Sequence, residues 1–246
     1  MKVDAVCHVH SDWSYDGRWP LKDLSREFSR RGNRILLMTE HDRGFTTARF
    51  DAYRAACTDA STEEILVVPG IEYSDSANRI HVLVWGAPFL GEGLPTGEML
   101  QAVERAGGVA VLAHPSRKNV WREFRPEWGN YLAGIEGWNR KYDGWAPGLD
   151  APKMLHSDNA ICFVGLDFHT EKQFFPLTMV FDLSADVTEE KVLDGIRSRR
   201  CSPHAFGLPL DHHLLRGSMR PLRVAEKGRR KLASIVKHSR LQTRSS

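Results

Sequence analysis

Short apolar runs recur along the chain at residues 2–7, 34–39, 65–71, 80–85, 109–113, 134–136 and 161–165, each closed by polar residues. Their length and β-branched content predict strands. Between them, apolar residues return every three or four positions. Leu21, Leu24 and Phe28 share one face of a stretch that stops at Gly32, which predicts an amphipathic helix, and residues 96–106 and 188–199 read alike. Seven strands alternating with helices predict a parallel β/α architecture. The right-handed crossover rule favours a closed or nearly closed, TIM-like barrel, with a doubly wound sheet as the alternative.

Reactive groups in such a barrel follow the C-terminal ends of strands, so polar residues should cluster directly after the apolar runs. His8 and His10 follow the first run, Glu40 and His41 the second, Glu72 the third, His114 the fifth, Glu136 and Asn139 the sixth, and Asp167 and His169 the seventh. His81 instead opens its strand. Residues two apart on a strand face the same side, so His8 and His10 can meet one ion, although a lone His-x-His is a weak signal. Charged and imidazole groups beside buried runs need partners to offset desolvation. A shared metal site supplies one to many of them at once; the alternative is a scatter of hydrogen-bonded core histidines and surface carboxylates.

The 246-residue chain is long enough for one substantial core, with 41% hydrophobic and 26% charged residues. No apolar run is long enough to span a bilayer and the N-terminus lacks the apolar stretch of a secretory signal, so a cytoplasmic protein is expected. Four scattered cysteines form no C-x-x-C pair, which points away from a zinc knuckle. The net charge of +3 conceals an asymmetry, since residues 211–246 hold ten Lys/Arg against two acids. We expect a catalytic domain at 1–210 and a basic tail at 211–246 that is dispensable for hydrolysis. That tail is a solvated helix, a contact for nucleic acid or an acidic partner, or an attachment to an anionic membrane surface.

In order, His8-x-His10 with Asp16-Gly17, Thr39-Glu40-His41-Asp42, Pro69-Gly70-Ile71-Glu72, His81, Ala113-His114-Pro115 and Asp167-x-His169 resemble the motifs of the polymerase and histidinol phosphatase (PHP) domain family over about residues 3–206. The resemblance implies a distorted seven-stranded β/α barrel and a trinuclear site of divalent ions such as Mn, Zn or Fe. Carried over by position, it puts His8, His10, Glu72 and Asp167 around one ion, and Asp16, His41 and His169 around a second. Glu72, His81 and His114 would hold the third, so Glu72 bridges two. Asp16, His41, Glu72, Asp167 and His169 become the catalytic set, and Glu136 and Asn139 could line the substrate pocket. Glu40 departs from the family's usual Asp, and Leu166 and Phe168 replace residues that are often small and polar.

Three divalent ions against Asp16, Glu72 and Asp167 leave a positive surplus that selects an anion. A water bridging two ions would have its pKa lowered toward ~7, which supplies hydroxide at neutral pH. The expected reaction is therefore hydrolysis of a phosphate ester, in a small metabolite or a nucleotide. Arg43 and Arg117 are the candidate phosphate-binding cations. Other readings are a PHP-type nuclease acting on oligonucleotide ends, a phosphotyrosine phosphatase, a non-catalytic metal site, and amidohydrolase-like C–N hydrolysis. The last commonly uses a modified bridging lysine, for which no lysine stands at the matching strand end. The tryptophans near loops (Trp13, Trp19, Trp121, Trp128, Trp138 and Trp145) are candidates for stacking on substrate. His156, His204, His212, His213 and His238 receive no role.

Overall fold

A computed structural model describes residues 1–147, 160–184, 186–210 and 219–242. His156, His212, His213 and Arg216 lie outside these residues. The elements are β1 (Lys2–Val9), α1 (Leu21–Arg30), β2 (Ile35–Met38), β3 (Glu40–His41), α2 (Thr47–Ala60), β4 (Leu66–Val68), β5 (Gly70–Ser74), β6 (His81–Trp85), α3 (Thr96–Arg105), β7 (Val109–Leu112), β8 (Gly134–Asn139), α4 (Arg140–Asp143), β9 (Ile161–Gly165), β10 (Leu177–Asp182), α5 (Glu189–Arg197), β11 (Cys201–Ala205), β12 (Leu208–Pro209) and α6 (Arg220–Gln242).

The strands form two mixed six-stranded sheets, ordered β12-β11-β10-β1-β2-β4 and β3-β5-β6-β7-β8-β9. Two chain segments serve both sheets. Thr39 alone separates β2 from β3, and Pro69 alone separates β4 from β5. Proline has no N–H to give to a ladder, so the second segment breaks there and turns into the other sheet. At the far side, the Leu166 N–H donates to Cys7 O (3.0 Å) and the Phe168 N–H to His8 O (3.0 Å). Val9 and Phe168 form one isolated bridge. Both sheets contribute to one core that includes Leu24, Phe28, Leu36, Trp85, Val111, Phe163, Phe168 and Phe181.

The expected parallel barrel is thus replaced by an α/β fold with two mixed sheets and no continuous closed ladder among the described residues. β6 runs antiparallel to both β5 and β7, and β10 runs antiparallel to β1 and β11. The physical reason at β5–β6 is the short connection 75–80, which is enough for a hairpin and too short for a crossover to a parallel neighbour. Strands β10 to β12 were not anticipated. Pro203 and His204 within β11 obscure its β signal.

Helices appear at all three anticipated positions, with α1 burying Leu21, Leu24 and Phe28 as its spacing requires. α2 joins them, with Thr46 accepting from the Arg49 N–H at its start and Phe50, Tyr53, Cys57 and Ala60 on its buried face. No helix of the described residues is long and apolar enough to cross a membrane.

Candidate metal centre

Three of the expected ligands stand on backbone that side chains with a Cβ rarely adopt: His8 (φ 59°), His114 (φ 25°) and Asp167 (φ 49°). His8 coincides with a slip in the β1–β2 register between Cys7 and Val9, the signature of a bulge that re-aims a side chain. His114 and Asp167 lie just past β7 and β9, where the chain turns over the strand ends. Such conformations persist where surrounding packing enforces them and cluster at functional sites.

All nine expected ligands converge. Glu72 is central, and its two oxygens face different groups. Oε1 lies 2.7 Å from His81 Nδ1 and 2.8 Å from His114 Nε2. Oε2 lies 3.4 Å from both His8 Nε2 and His10 Nε2, and 3.3 Å from His41 Nδ1. Asp167 Oδ1 approaches His8 Nε2 (3.8 Å) and His10 Nε2 (3.7 Å). Asp16 reaches His41 Nε2 (3.4 Å) and His169 Nε2 (3.0 Å). Atoms bound tetrahedrally to one ion at zinc distances stand about 3.3–3.6 Å apart, so the spacing around Glu72 Oε2 suits a shared cation. Four triplets bring ligand atoms within 4.8 Å of one another: His8–His10–Glu72, Glu72–His81–His114, His10–His41–His169 and His8–His114–Asp167. The first two match groupings that the resemblance implies; in the third, His10 stands beside the expected His41 and His169. The last crosses the expected partition.

Unpaired atoms test whether this donor set fits metal. Buried His8 Nε2, His10 Nε2, Asp16 Oδ1, Glu72 Oε2, His114 Nδ1 and Asp167 Oδ2 have no hydrogen-bond partner. Leaving so many lone pairs and donors dry is costly unless something else binds them, and divalent cations do so. The imidazoles divide: burial opposes charge on His8 and His41, yet Glu136 beside His8 and Asp16 beside His41 raise both above the usual imidazole range. Burial, aided by the neighbouring His41 and His169, holds His10 well below the usual imidazole range, which leaves it neutral and able to donate a lone pair. Burial opposes ionisation of Glu72, yet His81, His8 and His114 hold it well below the carboxylate range, and His8 with Lys141 does the same for Asp167.

A buried layer stands behind the ligands. Glu136 Oε1 is 2.9 Å from His8 Nδ1; because a carboxylate accepts, Nδ1 carries the proton and Nε2 is presented to the cluster. Glu136 Oε2 accepts from the His114 N–H (2.7 Å) and Asn139 Nδ2 (3.0 Å). Asn139 Oδ1 caps α4 through the Tyr142 N–H. The structure therefore puts Glu136 and Asn139 behind the ligands, with no contact to open space required of them. Glu40 accepts from the Ser11 N–H, Ser11 Oγ and Ser14 Oγ, and Ser14 Oγ in turn accepts from the His41 N–H and lies 3.3 Å from His10 Nδ1. Glu40 acts on His10 and His41 through Ser14.

The candidate anion-binding arginines stand at the rim. Arg43 is exposed, with its guanidinium 5.6 Å from the Tyr15 ring, and Tyr15 stacks on His41 (5.0 Å). Arg117 donates to Tyr142 Oη (3.1 Å) and to the carbonyls of Asn78 and Arg79, while the Tyr142 ring lies 4.8 Å from His114. Lys141 was missed by the sequence reading. Its Nζ is 2.9 Å from Asp167 Oδ1 and 3.4 Å from His169 Nε2, which brings a lysine to the cluster from the end of β8. No His-x-His-like spacing announces it; its only sequence signal is its place two residues after a strand. Trp128 and Trp138 are core residues, Trp13 packs on Tyr53 and Trp19 on Phe168, and Trp145 is partly exposed.

No protein-family model and no curated protein matches the chain. Solved structures do. A two-domain protein from Bacteroides vulgatus, containing a predicted PHP-like metal-dependent phosphoesterase, is 19% identical with a TM-score of 0.64, over 88% of this chain and 68% of that one. PsfC from Pseudomonas syringae is 17% identical with a TM-score of 0.60, over 91% and 98%. The lesion-specific endonuclease PfuEndoQ from Pyrococcus furiosus is 15% identical with a TM-score of 0.57, over 80% of this chain and 56% of that one. The chain thus shares its fold with a protein that contains a predicted PHP-like phosphoesterase, in line with the ordered motifs of its sequence.

Proposed function

We propose that this protein is a metal-dependent phosphoesterase whose site holds divalent ions between His8, His10, Asp16, His41, Glu72, His81, His114, Asp167 and His169. The observation that carries this reading is the convergence of all nine side chains with six buried polar atoms left unpaired. Divalent ions there would supply Lewis acidity and lower the pKa of water to near neutrality. The chain itself supplies the rest. Glu136 fixes the His8 tautomer and Ser14 orients the His41 backbone. Lys141 offers an ammonium beside Asp167, and under this reading it, Arg43 and Arg117 are the cations that would meet phosphoryl oxygens.

A small phosphorylated metabolite or nucleotide is the proposed substrate. The exposed cations Lys227 and Lys231 on α6 favour a second reading, a nuclease acting on oligonucleotide ends. Elemental analysis of the purified protein, with hydrolysis of p-nitrophenyl phosphate, its bis ester and an end-labelled oligonucleotide before and after chelation, tests both. Bound transition metal and chelator-sensitive cleavage are expected. A protein that binds no transition metal after reconstitution with manganese, zinc or iron would overturn the proposal.

A further inference from the structure

The basic helix α6 touches the protein body at the segment that carries Lys141 and Tyr142. Glu226, only 4% exposed, lies at the centre of this contact. Its carboxylate accepts from Arg229 Nε and Nη2 (2.7 Å each), from Arg230 Nε (2.6 Å) and from the Trp145 N–H (3.4 Å). Arg230 Nη2 continues inward to the carbonyl of Tyr142 (2.7 Å), and Arg223 Nε reaches the carbonyl of Pro147 (3.2 Å). The Arg229 guanidinium also lies over the Trp145 ring, 5.4 Å from its centroid. Gly144 makes the close approach possible: its φ is 80°, and a Cβ there would collide with the Glu226 carboxyl.

These contacts converge on a short turn that the body also holds: Asp143 accepts from the Asn139 N–H (2.8 Å) and Ser116 Oγ (2.6 Å), and the carbonyl of Gly144 accepts from Trp138 Nε1 (3.1 Å). α4 spans only Arg140–Asp143, too few residues to be stable alone, and its start is fixed by the Asn139 cap. On its C-terminal side α6 adds a further anchor, through Tyr142 O and the Trp145 N–H, beside the bonds at Asp143 and Gly144. Between those two anchors, Lys141 points at Asp167 and His169, and Tyr142 packs on His114. A charged clasp on one side of the turn thus joins the bonds that hold an ammonium and a phenol ring beside the cluster on the other.

We propose that the C-terminal helix is a working part of the site: Glu226 and Arg230 are positioning residues that fix the Arg140–Asp143 turn, and thereby place Lys141 to bind a phosphoryl oxygen of the substrate. This rests on the phosphoester reading given above. It reverses the expectation from sequence that residues 211–246 are dispensable for hydrolysis. Burial opposes ionisation of Glu226, but Arg229 and Arg230 lower it to about 2, so the clasp is charged at neutral pH. Its contribution is present above the ordinary carboxylate range and is lost only as pH falls toward about 2.

The test measures affinity for inorganic phosphate, by calorimetry, in full-length metal-reconstituted protein carrying Glu226→Ala, Arg230→Ala, Lys141→Ala, or Glu226→Ala with Lys141→Ala. Metal content is measured alongside. Either α6 variant is expected to weaken phosphate binding about tenfold, the size of one well-placed charge-assisted contact, with metal content unchanged. In the Lys141→Ala background the Glu226→Ala effect should shrink below about twofold, because the two act through one group. A folded, metal-loaded Glu226→Ala protein that binds phosphate like wild type would overturn the inference, as would full additivity of the two changes. Wild-type protein that loads metal but neither binds phosphate nor hydrolyses any ester would instead sink the phosphoester reading and this inference with it, a result distinct from equal binding by wild type and variant.

Discussion

Glu136 shows how a single carboxylate can govern a ligand it stands behind. Both its oxygens are committed, one to His8 Nδ1 and the other to the His114 N–H and Asn139. Glu136→Gln keeps the shape but can present its amide nitrogen to His8 and so favour the wrong tautomer. We expect metal affinity to fall about 10- to 100-fold, as for other residues that orient a ligating histidine. Titration of metal-free protein with zinc measures it, and an affinity equal to wild type would remove the role. Arg117→Ala should raise KM for a phosphate ester with little change in metal content, since the guanidinium touches Tyr142, backbone carbonyls and the Asn78 amide oxygen, which lies beside His81, but no candidate ligand directly. An unchanged KM would remove Arg117 from substrate binding. Eight of the nine candidate ligands were legible in the sequence because each follows or opens an apolar run; Asp16 does neither and came only from the resemblance. Glu136 was visible too, but its hydrogen bonds to His8, 128 positions away, were not. Lys141 was invisible because nothing in a lone lysine after a strand says which way its side chain turns.

Strand ends explain why the cluster forms where it does. β1, β3, β5, β7 and the end of β9 each deliver a candidate ligand, and the hairpin β5–β6 adds His81 opposite Ser74, two positions along from Glu72. That hairpin resolves the apparent exception of His81: its strand runs antiparallel, so the start of β6 lies at the end of β5. Seven apolar runs sufficed to find most strands of the central fold. The mixed strand directions escaped notice because an apolar run has no arrow, and only connection length reveals one. β8 and β9 also meet under the ligands at Gly165, where an added Cβ would lie 2.8 Å from His8 Cβ and overlap the Glu136 carboxyl. Gly165→Ala should therefore destabilise the fold by about 1–3 kcal/mol through overpacking. It should also weaken metal binding, because Glu136 and His8 are the groups displaced. Urea unfolding and zinc titration read the two effects; a variant with wild-type stability would mean that the strands part without cost.

Gathering nine histidines and carboxylates in one buried cluster has a consequence for the fold as a unit. Three carboxylates, Asp16, Glu72 and Asp167, are held ionised in the cluster although burial opposes it, and several imidazole atoms lack partners. Charge and desolvation at this position work against folding unless cations are present. Metal binding should then be a stability term for the whole molecule. A ligand at 100 times its dissociation constant stabilises the folded state by about 2.7 kcal/mol per site. For a chain of this length each kcal/mol moves Tm by about 2–4 °C. Stripping even one ion with a chelator should thus lower Tm by about 5–10 °C, and readdition of metal should restore it. The shift should be abolished in Glu72→Ala, because that carboxylate serves both sides of the cluster through separate oxygens. Calorimetric scans of loaded, chelated and reloaded protein provide the measurement. Identical Tm values across the three would show that the buried groups find their partners within the chain, and that the unpaired atoms are not a metal site.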